Sequence, residues 1–307
     1  MPSTVLASAA AARPSLAAAA RRAAQRGAPA MLGGAPHALL AGSASAALRL
    51  DALDALPLPV RDAACAGACA IGALAWIRVW TELAASGAVS STLSRKMVHV
   101  GSAPLFVLAW PLFSAAPWAR AVAAIVPALN ALRLLRAGLP ASRGGGNGNG
   151  GGSPDALVAA VSRSGERSEV LRGPFIYVLV LLGATVLCWR ASAVGVVAIA
   201  QMAVGDGVAD IVGRRLGGSN RWPFNPSKSV AGSVAFVAGA TGASIGLLAW
   251  LGAWGVLAPL APDTPLRLLL ISVACAAVEL LPTDVLDDNV SVPLVGAGLA
   301  LALLGTP

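Results

Sequence analysis

The chain has 307 residues, 57% of them hydrophobic and only 12% charged, with aromatics at 5% and a mean hydropathy of +0.75. Charge stands at about half of the roughly 25% usual in soluble domains, and the long apolar runs exclude an ordinary soluble enzyme, a disordered chain and a collagen-like fibre. The net charge of +8 comes from 20 Arg with Lys96 and Lys228, set in the leader and between apolar runs; no basic stretch is interleaved with aromatics in the manner of a nucleic-acid site.

Met1 to Leu50 contains no acid, while Arg13, Arg21, Arg22, Arg26 and Arg49 stand among Ala and Ser. That composition predicts an organelle transit peptide and disordered leader over 1–60; interrupting arginines argue against a secretory signal. Composition does not choose between plastid and mitochondrion. The remainder, 61–307, reads as one all-α, multi-pass membrane domain. A crossing takes about 20 residues for a hydrocarbon core of about 30 Å. Runs of that order fall at 63–85, 97–114, 117–136, 174–190, 192–212, 230–257, 266–282 and 290–305, a polytopic bundle of about 7–8 transmembrane helices. With eight crossings, eleven basic residues (Arg95, Lys96, Arg136, Arg143, Arg163, Arg167, Arg172, Arg214, Arg215, Arg221, Lys228) fall on one side. Only Arg120, Arg190 and Arg267 fall on the other, as the positive-inside rule would have it. Cys65, Cys69, Cys188 and Cys275 lie in apolar surroundings and read as small buried residues.

The stretch 137–171 reads as a loop with a flexible Gly/Asn insert at 144–152; neither a preceding strand nor a following Lys-Ser/Thr makes it a phosphate-binding loop. The chemistry is expected where ionisable groups meet the spans. Asp206 and Asp210, in Gly205-Asp206-Gly207-Val208-Ala209-Asp210, share one helical face, which suits a divalent cation on a phosphate, and Gly205 and Gly207 leave room for a bulky anion. The alternative is pairing of the two acids with Arg214 and Arg215 as a membrane lock. Asn225-Pro226-Ser227-Lys228-Ser229, followed by Gly232 and Ser233, reads as a phosphate seat at a helix start, or as an interfacial cap with a snorkelling Lys. Glu279, then Asp287, Asp288 and Asn289, form an acid-rich turn on the same side. Arg95, Lys96 and His99 open the second span there, and His99 is expected to touch phosphate or a carboxylate. Carboxylates, a divalent cation, cations and a hydroxyl-rich helix start are the parts of phosphoryl transfer, with a lipid alcohol as the plausible acceptor.

Five stretches, in order, resemble the phytol kinase branch of the polyprenol kinase and CDP-diglyceride-synthase-like family: Arg95-Lys96-x-x-His99, Leu171-Arg172-Gly173-Pro174, Gly205-Asp206-Gly207-x-Ala209-Asp210-x-x-Gly213-Arg214-Arg215, Asn225-Pro226-x-Lys228-Ser229-x-x-Gly232-Ser233, and Asp287-Asp288-Asn289-x-x-Val292-Pro293. The resemblance covers about 85–305. It departs from the family pattern at Glu279-Leu280-Leu281-Pro282, where Glu-Ser-Leu-Pro is frequent, and in the Gly/Asn insert. It implies a multi-pass chloroplast-membrane kinase that phosphorylates phytol, with CTP (or UTP) as donor and Mg²⁺ or another divalent cation. The phytyl phosphate formed would feed tocopherol and phylloquinone synthesis. On this reading Asp206, Asp210, Lys228, Asp287 and Asp288 are catalytic, and Asp206 with Asp210 holds the metal. Arg95, Lys96, His99, Arg214, Arg215, Asn225, Ser229, Gly232, Ser233 and Asn289 bind the nucleotide phosphates. A farnesol or geranylgeraniol kinase, a cytidylyltransferase making a CDP-lipid, and a transporter with an acidic site are the alternatives; the sequence leaves oligomeric state open.

Overall fold

The computed structural model describes residues 52–139, 154–162, 165–281 and 287–305. The leader up to Asp51 and the Gly/Asn insert lie outside the described residues.

Helix α1 (Leu58–Ala85) is followed by α2 (Ser91–Ala109) and α3 (Ala119–Gly138). Ser90 starts α2 by accepting the Leu93 N–H at 3.2 Å, an N-cap bond. The segment expected as a loop at 137–171 contains a short helix, α4 (Pro154–Val161), and one turn, α5 (Arg167–Val170). Helix α6 (Gly173–Gly183) continues through a wide π turn at Ala184–Cys188. Helix α7 (Ala193–Ile199), a second π stretch (Ala200–Gly205) and α8 (Asp206–Leu216) form one rod. A two-stranded antiparallel hairpin, β1 (Arg221–Trp222) with β2 (Asn225–Ser229), pairs Arg221 with Ser229 and Trp222 with Asn225. Helices α9 (Val230–Ala253), α10 (Thr264–Glu279) and α11 (Asp288–Leu304) close the chain.

Among the described residues, five helical runs are long and apolar enough to cross a membrane: 58–85, 119–138, 167–191, 193–216 and 230–253. The fold is therefore an all-α membrane bundle. The rod 193–216 lies at its centre, with 72% of its apolar window buried, whereas α1 buries only 6% and is peripheral. Val196, Ile199 and Met202 of the rod pack with Phe106, Phe236, Leu268 and Ile271 in one core.

Close approach in lipid is made with small residues, because van der Waals contact has to supply what the hydrophobic effect supplies in water. A Cβ on Gly207 would stand 2.2 Å from Val100 Cγ2, so the absence of a side chain lets α8 meet α2. At the far end of the bundle a polar knot ties three elements. Buried Asp62 accepts the Ser114 N–H at 2.7 Å and its hydroxyl at 2.8 Å, while Arg190 donates to the carbonyls of Trp110, Phe113 and Ser114 at 3.1, 2.7 and 2.7 Å.

Candidate active site

A cavity of about 1400 Å³ opens where α2, α6, α8 and the start of α11 meet, bounded on its other flank by α1, α3 and α4. Asp206, the first residue of α8, lines it. Its Oδ2 accepts from Lys96 Nζ at 3.3 Å and lies 3.3 Å from His99 Nε2. The backbone explains this meeting. The Asp206 N–H bonds back to Gln201 O, five residues earlier, instead of to Met202 O; the Met202 carbonyl is met by His99 Nε2 at 3.2 Å. Both contacts converge on the one ring nitrogen, Nε2.

The other side of the imidazole is set by α6. In a regular helix Ala103 N–H would bond to His99 O. Here the Tyr177 hydroxyl stands between them: it donates to His99 O at 2.7 Å and accepts from Ala103 N–H at 3.1 Å. The Tyr177 and His99 rings lie 4.6 Å apart, centre to centre. Pro104, which lacks an N–H, already loosens α2 at this level.

Across from Asp206, Lys228 Nζ on β2 donates to Glu279 Oε1 at 2.7 Å and Asp288 Oδ2 at 3.2 Å. Burial works against the Lys228 ammonium, but the two carboxylates outweigh it and hold the pKa above the ordinary lysine value, so the group stays charged. Asp206, Glu279 and Asp288 each bring one oxygen within 4.8 Å of the others. Asp287 caps α11, its Oδ1 accepting from Asn289 N at 2.9 Å and Asn289 Nδ2 at 2.7 Å; its Oδ2 is left beside Gly173.

The structure therefore brings together Lys96, His99, Asp206, Asp210, Lys228, Asp287, Asp288 and Asn289, with Arg95 and Arg214 on the cavity wall. It separates others. Asp210 is turned toward Arg214, whose Nε lies 2.9 Å from both its oxygens, with Lys96 Nζ at 3.7 Å; this is the membrane-lock alternative for that acid, while Asp206 faces Glu279 and Asp288. Arg215 is exposed and off the cavity wall.

The stretch expected as a phosphate seat is spent on packing. Ser229 Oγ accepts the Gly232 N–H at 3.1 Å as the N-cap of α9, and a Cβ on Gly232 would lie 3.0 Å from Ala209 O. Ser233 Oγ donates to Ser229 O at 3.2 Å and accepts from Trp222 Nε1 at 3.0 Å; Asn225 Nδ2 donates to Leu280 O at 3.0 Å. None of these four lines the cavity. Gly205 and Gly207 likewise receive Phe236 and Val100, so the room expected there for an anion is filled by side chains. Ser229→Ala is accordingly expected to lower stability by about 1 kcal/mol, read as a lower unfolding midpoint in detergent.

The cavity wall also carries Arg133, Arg136 and Arg172. The first two sit inside an apolar run, where their three-residue spacing was the only sign of a shared face. Glu279 was visible as an acid at a span end, but its bond to Lys228, 51 residues away, was not.

No protein-family model and no solved structure matches the chain. Curated proteins do. A probable chloroplastic phytol kinase 1 of Oryza sativa subsp. japonica is 42% identical over 258 residues, 83% of this chain and 78% of the relative. A probable chloroplastic phytol kinase of Zea mays is 39% identical over 266 residues, 86% and 84% of the two chains. The chloroplastic phytol kinase 1 of Arabidopsis thaliana is 42% identical over 225 residues, 73% and 70%.

Proposed function

The chain belongs to the phytol kinase family, and from that premise we propose that it transfers the terminal phosphate of CTP to phytol at a chloroplast membrane, forming phytyl phosphate that would serve tocopherol synthesis. The relatives' names support phytol over farnesol or geranylgeraniol. The observation that carries the mechanism is the convergence of Asp206, Glu279 and Asp288 with Lys96, His99 and Lys228, of which Lys96, His99, Asp206 and Asp288 line the cavity.

Three carboxylate oxygens within 4.8 Å of one another are the hard donors that Mg²⁺ takes, usually alongside substrate phosphates. Asp206, Glu279 and Asp288 would hold the ion, and Asp210 is left as the anchor of Arg214. The ion would neutralise charge on the transferring phosphate. Lys96, Arg95 and Arg172 line the same cavity and meet the remaining phosphate charge. The alcohol oxygen attacks the terminal phosphorus, the bond to the β-phosphate oxygen breaks, and CDP leaves. The alcohol proton passes to Asp287 Oδ2, the cap residue's second oxygen. His99 and Lys96 hold Asp206 in position.

Eight crossings follow if α2, α10 and α11 span with the five longer runs, and residues 1–60 act as the import leader. The test is product analysis with labelled CTP and phytol in membranes containing the chain. Phytyl phosphate and CDP in equal amounts are expected, with activity abolished by a chelator and restored by Mg²⁺. Pyrophosphate with a CDP-lipid would replace the kinase reading by a cytidylyltransferase one.

A further inference from the structure

We propose that the prenyl tail of the alcohol lies in a slot between α1 and α3 that opens sideways into the hydrocarbon of the bilayer, with Leu74 at the junction of slot and reaction chamber. The proposal rests on the kinase reading above and adds where the substrate enters and what selects it.

Two cavities carry the argument. Besides the large chamber, a smaller one of about 280 Å³ lies along Ala70, Val126, Leu129 and Leu132. The two share Leu74 and the Asn130, Arg133 and Arg136 edge, so they adjoin along that side. From Ala70 to Ile77, which lines the chamber, α1 rises about 10 Å. The slot therefore runs inward along the helix axis, away from the polar end. Its walls are apolar apart from that edge. Helix α1 buries little of itself against the bundle, so the slot's outer lip faces lipid. Leu74 and Leu129 are 44% and 51% exposed, free of core packing.

Energetics decide the occupant. Taking an isoprenoid chain through water costs about 0.8 kcal/mol per CH₂, so a chamber reached only from the aqueous side would set that cost as a barrier to every entry. A side slot lets the tail remain in hydrocarbon while the hydroxyl reaches Asp206 and Asp287. An annular phospholipid chain would find the same apolar walls, but it brings no hydroxyl to the chamber and gains nothing from the polar end.

The test uses the full chain in lipid nanodiscs and a prenyl alcohol carrying a photoreactive diazirine at the tail end. Crosslinks are expected on Ala70–Leu74 and on Val126–Leu132, and excess phytol should remove them. Leu74→Trp and, independently, Leu129→Trp should raise KM for phytol tenfold or more with KM for the nucleotide unchanged. Both side chains are lipid-exposed, so the bundle should assemble in each variant. Crosslinks on α9 or α10, labelling that phytol does not displace, or an unchanged KM in both variants would overturn the slot. Should the wild-type chain phosphorylate no prenyl alcohol, the kinase reading falls instead, and the displaceable crosslinks still decide the slot.

Discussion

Asp206→Asn is expected to lower phytol phosphorylation by about 10³-fold while leaving the chain folded in the membrane, the loss typical when a preorganised electrostatic group is removed from the reacting centre. Asparagine keeps the size and the hydrogen-bonding oxygen, so Lys96 and His99 lose a charge partner but not a neighbour. Lys96 retains Asp210 at 3.7 Å. What disappears is the negative charge that completes the group with Glu279 and Asp288. Asp210→Asn is the matched contrast. Its oxygens are already paired with Arg214, so the expected loss is only about tenfold. Turnover per folded molecule, normalised by the unfolding midpoint, checks both. Equal losses in the two variants would mean that the pair acts as a unit, and Asp206→Asn within tenfold of wild type would remove the acid from the chemistry.

Lys228→Met should destabilise the chain by about 3–5 kcal/mol, because it leaves a buried carboxylate without its cation. The Glu279 side chain is only 5% exposed and bonded at 2.7 Å. Without the ammonium, three carboxylates would repel one another across less than 5 Å, and a dication is the remedy available. The variant's unfolding midpoint should therefore rise with millimolar Mg²⁺ far more steeply than wild type does, following mass action on the folded state. Adding Glu279→Gln to Lys228→Met should recover stability without recovering turnover. A midpoint indifferent to Mg²⁺ in Lys228→Met would argue against cation binding by the trio.

The apolar segments and the charged clusters were legible in the sequence because a bilayer leaves so few places for charge. Asp206 and Asp210 stand out as acids inside an apolar run, and Asp287 and Asp288 as acids in the short turn before the last one, where counting alone finds them. The partners were less legible. Asp206 and Asp210 occupy one face four residues apart and share Lys96, yet a π stretch precedes Asp206, which faces Glu279 and Asp288, while Arg214, one turn on, takes both oxygens of Asp210. Nothing in Ala200-Gln201-Met202-Ala203-Val204-Gly205 announces that wider register. Asn225 to Ser233 reads as an anion seat because Ser, Lys and Gly at a helix start expose N–H groups in general. In this chain the Ser229 hydroxyl satisfies one of them and Gly232 is pressed on the Ala209 carbonyl, so only Lys228 looks into the carboxylate group. A local pattern cannot tell a helix start that meets a ligand from one that meets another helix.

Tyr177 makes two helices into one mechanical part. Its phenol bridges the ladder of α2, so pulling α6 away would cost the bonds it makes to the His99 carbonyl and the Ala103 amide, about 1 kcal/mol each. Separation thus costs more than joint displacement. Since α6 also carries Pro174 and Val178 on the chamber wall, any shift that widens that wall drags the imidazole with it. The fit of the alcohol and the alignment of Asp206 are consequently tuned together, and neither can drift without the other.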